Sequence, residues 1–195
     1  SPSTPDGSVD MPLNPCSFAL GAGARFVARS IDTEAKHLTS VLKRAHAHEG
    51  ASFVEIYQNC PVYNDGIFEL IKEKKTAGET RLVLEHGQPM IFGTERDKGI
   101  KLNAASLCLE VVTLGDDGVT EQDLVVHDET NRMLAQLLTQ LRAPEFPEPV
   151  GVIYCNPETA YEDSVYEQIK TVREKKGLAD FTNALKSGHT WTVNS

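Results

Sequence analysis

The sequence predicts an α/β fold, a parallel sheet with flanking helices, continued by a mixed α+β extension. Three observations carry this. An apolar run at Arg25–Ile31, a helical pattern at Asp32–Glu49 and a β-branched and aromatic run at Ala51–Tyr57 follow one another directly. Strand, helix and strand in that succession form a right-handed crossover that leaves the two strands parallel. Beyond Thr80 the apolar runs shorten and turn residues separate them, which favours antiparallel additions. Finally, 195 residues with 40% apolar content suffice for one domain with a core, with or without an extension.

Residues 1–15 are rich in Pro, Ser, Gly and Asp and read as a loop or tail. Pro15 suits the first position of a short helix over Cys16–Leu20, with Asn14 as its cap, and Gly21 and Gly23 end it. In the next helix Asp32 is the expected cap. Leu38, Val41, Leu42 and Ala45 share one face, and Gly50 stops it. His37, His46 and His48 lie on this helix without ligand spacing and read as surface residues. Arg25, Arg29 and Lys36 also read as surface charges.

The stretch from Ala51 to Gly66 organises the rest. Its strand stops in Gln58-Asn59-Cys60-Pro61, and Asn64-Asp65-Gly66 makes a turn. Cys60 therefore falls just past the carboxyl end of a strand, where ligands gather in open α/β sheets. Pro61 stiffens the loop. On spacing alone Cys60 suits a small buried apolar residue, an iron–sulfur ligand, a zinc ligand or a nucleophile. An amphipathic helix over Ile67–Lys75 follows, with Phe68, Leu70 and Ile71 able to pack.

Short strands are expected at Arg81–Glu85 and Met90–Phe92, then a charged loop from Gly93 to Gly99. Leu107–Leu114 is an apolar strand in which Cys108 reads as core filler. Gly115-Asp116-Asp117-Gly118 is a turn, and Leu124–Val126 a further strand. Asp128 is the expected cap of a helix over Glu129–Arg142, whose Met133, Leu134, Leu137, Leu138 and Leu141 line one side. A proline-rich connector leads to a last strand at Gly151–Cys155. A polar helix spans Tyr161–Lys176, Gly177 breaks it, and the tail carries the sole tryptophan, Trp191. That tryptophan suits docking on a partner or packing on its own domain.

The formal charge of −9, with no basic run, argues against nucleic acid and anionic membrane surfaces as partners. No apolar run approaches the roughly 20 residues that cross a bilayer. No signal peptide stands at the start, and the expected setting is a reducing cytoplasm with free thiols. The four cysteines form no C-x-x-C pair, so no zinc-ribbon or ferredoxin signature is present. The Gly115–Gly118 turn lacks the later asparagine that a magnesium–diphosphate motif needs, and neither glycine-rich nucleotide motif occurs. A thiol hydrolase would need His86, His127 or His189 beside Cys60, and nothing in the spacing places one there.

Asn14-Pro15, Ala22–Arg29, Lys36-His37-Leu38 and Val54–Gly66, in this order and spacing, resemble one family. It is the β subunit of thiamine-diphosphate-dependent 2-oxoacid:ferredoxin oxidoreductases, of the 2-oxoglutarate type. The likeness is closest over roughly the first 70 residues and continues more loosely at Leu124–Glu129. It implies that residues 16–79 are the carboxyl part of a thiamine-binding-type α/β domain and 80–195 an extension. It also implies that Cys60 is the fourth thiolate of a [4Fe–4S] cluster. On the enzymatic reading, Asn59 and Asn64 would orient it or donate to cluster sulfurs. The family's C-x-x-C pair and its Gly-Asp-Gly…Asn magnesium motif are absent here, so the chain looks like the carboxyl half of such a subunit. The complete enzyme would use thiamine diphosphate with Mg2+ and the cluster, and this half alone would bind neither. Expected partners are the amino-terminal half, an α subunit, ferredoxin, coenzyme A and a 2-oxoacid. The alternative is a non-catalytic module that docks onto a partner subunit.

Overall fold

A computed structural model of the protein describes residues 4–177 and 180–193. The first three residues of the expected amino-terminal loop and the last two of the tail lie outside the described residues. Residues Ser1–Pro157 form one compact unit and Glu158–Ser195 a second.

In the first unit, α1 (Pro15–Gly21) starts as expected: the Asn14 side chain accepts the Ser17 N–H at 3.1 Å, and Pro15 fills the first position. Strand β1 (Phe26–Ile31) is buried along its whole length. Helix α2 (Ala35–Ala47) returns the chain to β2 (Ser52–Tyr57), which pairs with β1 in parallel from Phe26–Ser52 to Ile31–Tyr57. The crossover legible in the sequence is thus present. Its start differs: Glu34, not Asp32, is the cap, and the helix begins without a side-chain cap bond. Asp32 lies instead 2.9 Å from the Lys72 ammonium.

The helix expected over Ile67–Lys75 is only the short α3 (Glu69–Lys72), and a second short helix, α4 (Ala77–Thr80), follows beyond it. Strand β3 (Arg81–Val83) then joins the main sheet. Strands β4 (Ile91–Phe92), β5 (Lys98–Asn103) and β6 (Cys108–Thr113) form a separate antiparallel sheet in that order. The charged loop expected up to Gly99 therefore gives way to a strand at Lys98. Cys108 is exposed, which corrects its reading as core filler. Leu124–Val126 is extended without being a strand. Val125 N–H bonds to Ile100 O and Met90 N–H to Val125 O, with a lone bridge between Pro89 and Val126. Gly99 lets this segment approach, since a Cβ there would fall 2.4 Å from Leu124 Cδ1.

Helix α5 (Arg132–Thr139) is shorter than expected and is capped by Asn131, whose side chain accepts from Met133 and Leu134 N–H. Asp128 spends its carboxylate on Thr130. Strand β7 (Glu148–Cys155) starts three residues before the expected last strand and completes the sheet in the order β2-β1-β7-β3. It runs antiparallel to β1 and parallel to β3, so the sheet is mixed. Gly151 sits in it at φ +121, where a Cβ would meet Leu84 O at 2.9 Å. Only glycine tolerates that backbone and that approach.

Alternate residues of β1 serve opposite faces. Val27 joins Cys16, Leu20, Leu134, Leu138 and Ile153 under α1 and α5, while Phe26 and Ala28 meet Val41 of α2 and Val152. A third cluster of Ile31, Tyr57, Ile71 and Val150 closes the carboxyl end of β1 and β2. The second unit contains α6 (Tyr161–Lys176), ended by Gly177 as expected, and α7 (Phe181–Leu185), capped by Asp180. Trp191 belongs to this unit. Among the described residues no helix is long and apolar enough to cross a membrane.

Candidate functional site

Cys60 stands where the sequence put it, three residues beyond the end of β2, and is half-buried. Its loop is closed at three successive levels. At the base, the Tyr57 ring at the loop's entry stacks on Phe68 at its exit, with centroids 4.5 Å apart and planes at 12°. One level up, Asn59 Oδ1 accepts the Gly66 N–H at 2.9 Å and Asn59 Nδ2 donates to Asp65 at 2.7 Å. At the tip, the Asn64 N–H donates to Cys60 O at 3.0 Å, and the two residues form an isolated bridge. The Asn59 side chain thus joins the two limbs of the loop, and the exposed Asn64 meets Cys60 through its backbone. Asn59, Gly66, Glu69, Lys72 and Glu73 line a cleft of about 220 Å³ beside the loop.

Beneath Tyr57 lies a buried charged cluster. Arg29 is 0% exposed. Its Nε donates to Glu55 Oε2 at 2.7 Å, and its Nη1 to Glu148 Oε1 at 2.6 Å. The Tyr57 hydroxyl donates to the same Glu148 oxygen at 2.8 Å, and Arg142 Nη1 reaches both Glu148, at 2.7 Å, and the Tyr57 hydroxyl. The Arg29 guanidinium also lies 5.1 Å from the Tyr57 ring centroid. Cys16 donates to Glu55 Oε2 at 3.2 Å. Two arginines and two glutamates balance, as burial of charge requires. Burial works against the Arg29 charge, but Tyr57, Cys16, Glu148 and Glu55 outweigh it and hold the guanidinium above its ordinary value. Burial pushes the Tyr57 phenol up as well, and the Cys16 thiol up to about 12. Cys16 is thus a neutral thiol at physiological pH.

The sequence reading missed this cluster by treating Arg29 as a surface charge. A signal was present: Arg29 is the one charged residue of the otherwise mostly apolar β1, and Glu55 occupies the equivalent place in β2. The parallel register sets the two opposite each other. A charge inside the buried β1, set opposite one of the other sign in its neighbour, marks a paired interior site, not a solvated one.

The other candidates disperse. His86 is exposed and accepts the Glu129 N–H, and His127 is buried with Nε2 2.9 Å from Val152 O. The bonds of His86 and His127 do not involve Cys60, and His189 belongs to the second unit. His37 is half-buried, its Nδ1 2.8 Å from Ser30 Oγ, and half-buried His48 packs against Phe26, so both correct the surface reading. Cys155 is half-buried at the end of β7, its thiol raised by burial and by Glu129 against Arg44. Asp116 and Asp117 lie exposed on a turn. A cleft of about 550 Å³ is lined by Arg81, Glu85, Gln88, Ile91, Arg96 and Glu121 among others. Among the described residues no three His, Cys, Asp or Glu side chains gather as a metal site. As a donor set the chain fits one thiolate of a cluster, from Cys60. Among the described residues Asp116 and Asp117 have no further His, Cys, Asp or Glu gathered with them that would fit a magnesium–diphosphate site.

No family model matches the chain. Curated relatives do. The 2-oxoglutarate oxidoreductase subunit KorB of Mycobacterium tuberculosis is 35% identical over 197 residues, covering 98% of this chain and 52% of that subunit. The 2-oxoacid:ferredoxin oxidoreductase subunit beta of Saccharolobus solfataricus is 36% identical over 63 residues, covering 32% of this chain and 21% of that subunit. The 2-oxoglutarate synthase subunit KorB of Methanocaldococcus jannaschii is 32% identical over 59 residues, covering 30% of this chain and 22% of that subunit. This chain thus spans about half the length of its M. tuberculosis relative. Among solved structures, a 2-oxoglutarate:ferredoxin oxidoreductase from Magnetococcus marinus, with 2-oxoglutarate, coenzyme A and succinyl-CoA bound, superposes with a TM-score of 0.54. It is 21% identical, and the match covers 95% of this chain and 47% of that one. At that identity the likeness concerns the fold, and it agrees with the α/β class expected from the sequence.

Proposed function

We propose that this chain, which belongs to the family of 2-oxoacid:ferredoxin oxidoreductase β subunits, is part of an enzyme that oxidatively decarboxylates a 2-oxoacid, 2-oxoglutarate by preference. The observation that carries this is the 35% identity to a 2-oxoglutarate oxidoreductase subunit along 98% of the chain. The reaction consumes a 2-oxoacid and coenzyme A, releases CO2 and acyl-CoA, and sends two electrons to ferredoxin. In the complete enzyme, thiamine diphosphate with Mg2+ would supply the decarboxylation chemistry and a [4Fe–4S] cluster would supply the electron path.

This chain's own share is the Cys60 thiolate, one of the four a cluster needs. The rigid, half-buried loop supports that role, since a ligand fixed before binding loses little entropy on binding. Asn59 holds the loop's limbs together, and its remaining donor and that of Asn64 are available to cluster sulfurs, which would tune the potential. The other three thiolates and the diphosphate site come from polypeptide outside this chain: the amino-terminal half of the subunit, with an α subunit as further partner. Neither nucleic acid nor membrane is a partner. The chain alone binds neither cofactor, and its free cysteines suit the reducing cytoplasm.

In the assembled enzyme, Cys60→Ser is expected to abolish ferredoxin-linked turnover and to remove the reduced-cluster paramagnetic resonance signal. Near-normal turnover would instead assign the chain to a docking module. Iron and sulfide analysis of the isolated chain after anaerobic reconstitution is expected to find no stoichiometric cluster.

A further inference from the structure

We propose that Tyr57 and Phe68, anchored by the Arg29–Glu148–Arg142 cluster, are positioning residues for the Cys60 thiol. The inference rests on the reading of Cys60 as a cluster ligand. Its basis is the nesting of the loop closures on a buried base. Tyr57 is the last residue of β2 and Phe68 the residue before α3, so their stack joins the two ends of the segment that carries Cys60.

Tyr57 cannot drift, because four independent contacts fix it. Its hydroxyl bonds to Glu148 and receives Arg142, the Arg29 guanidinium lies against its ring, and its carbonyl accepts the Asp32 N–H at 3.0 Å. Glu148 and Arg29 in turn stand on β7 and β1, both central strands of the sheet. A side chain three residues from the thiol is thereby tied to the most buried part of the fold. Asn59 can then close the limbs only in the register that the stack sets. The cluster also explains why charge is kept in this interior: the site needs a directional anchor for the Tyr57 hydroxyl, which an apolar filling does not supply.

The test uses the full chain without any cofactor, so its failure is distinct from that of the cluster reading, which Cys60→Ser decides. Alkylation rates at Cys60 and at the other three cysteines are read by peptide mass spectrometry in three variants. Phe68→Leu removes the stack and leaves the polar contacts, Tyr57→Phe removes the hydroxyl and keeps the ring, and Phe68→Tyr restores the ring as a rescue. Phe68→Leu and Tyr57→Phe are expected to speed Cys60 alkylation roughly tenfold through local opening, with Cys16 and Cys155 unchanged and the denaturation midpoint near the parent's. Phe68→Tyr is expected to return the parental rate. A Cys60 rate within about twofold of the parent in Phe68→Leu would overturn the proposal. So would a parallel rise at Cys60, Cys16 and Cys155, which would make the aromatic pair a general packing element. Should Tyr57→Phe fail to fold, Phe68→Leu decides alone, because it leaves the charged cluster intact.

Discussion

Arg29 keeps its charge at zero exposure because two carboxylates, a tyrosine and a backbone carbonyl meet it on separate sides. Its Nη2 has no hydrogen-bond partner among the described residues, so even this site is not fully satisfied. Such an arrangement is costly to break on one side only. Arg29→Met would leave Glu55 and Glu148 facing each other in the interior, with Arg142 as the remaining cation for Glu148. We expect a loss of about 3–5 kcal/mol, the range found when one partner of a buried pair is removed. Urea denaturation measures it. A loss below about 1 kcal/mol would mean that water reaches the cluster and screens it as it screens surface pairs.

At the scale of elements, helix starts discriminate between local propensity and the folded context. Asp128 and Asn131 are both good caps by residue type, and the sequence favours the former because it precedes the longer helical pattern. In the structure Asn131 accepts from two N–H groups of α5, and Asp128 makes a turn with Thr130 instead. Asn131→Ala is therefore expected to cost about 1 kcal/mol, as a lost cap does. Asp128→Ala is expected to cost less than about 0.5 kcal/mol, since its turn is solvent-facing. Equal losses in urea denaturation would restore the longer helix. The same contrast shows what could be read in advance. The β1–α2–β2 crossover was legible because its apolar spacing is unbroken, and the Cys60 loop because Asn, Pro and Gly bound it. Strand β5 was not expected at all, because Lys98, Gly99 and Lys101 break up its apolar residues and carry no β signal. The first three residues of strand β7 were hidden by prolines that argue against a central strand. Pro149 is tolerated because antiparallel pairing with β1 ends at Gly151, and Arg29 reaches the Pro149 carbonyl in place of a ladder bond. The site's base escaped notice for a different reason: Glu148 and Arg142 reach Tyr57 from far along the chain, and no local pattern encodes that meeting.

For the first unit as a whole, the turn before β4 is tied to the main sheet through one buried imidazole, beside the apolar cluster that both sheets share. His127 N–H donates to Gln88 O, His127 O accepts from Gly87 N–H, and Nε2 donates to Val152 O on β7. Its Nδ1 is buried without a hydrogen-bond partner among the described residues. Burial lowers the His127 pKa below its ordinary value. The Val152 bond and the nearby Glu129 and Asp128 oppose that shift, and His86 adds to it. The folded chain therefore takes up this proton less readily than the unfolded chain. Its stability is fully present above the unfolded value of about 6.5 and declines as pH falls through it, toward the lower folded value. The slope from this residue is at most about 1.4 kcal/mol per pH unit, the cost of one proton. His37, also lowered chiefly by burial, contributes in the same direction. In His127→Gln the amide can still donate to Val152 O but cannot titrate. Unfolding free energy is expected to fall between pH 7.5 and 5 in the parent and to fall less steeply in the variant. Identical slopes would show that protons reach the folded imidazole freely, and that the turn before β4 meets the main sheet here without a sealed interface.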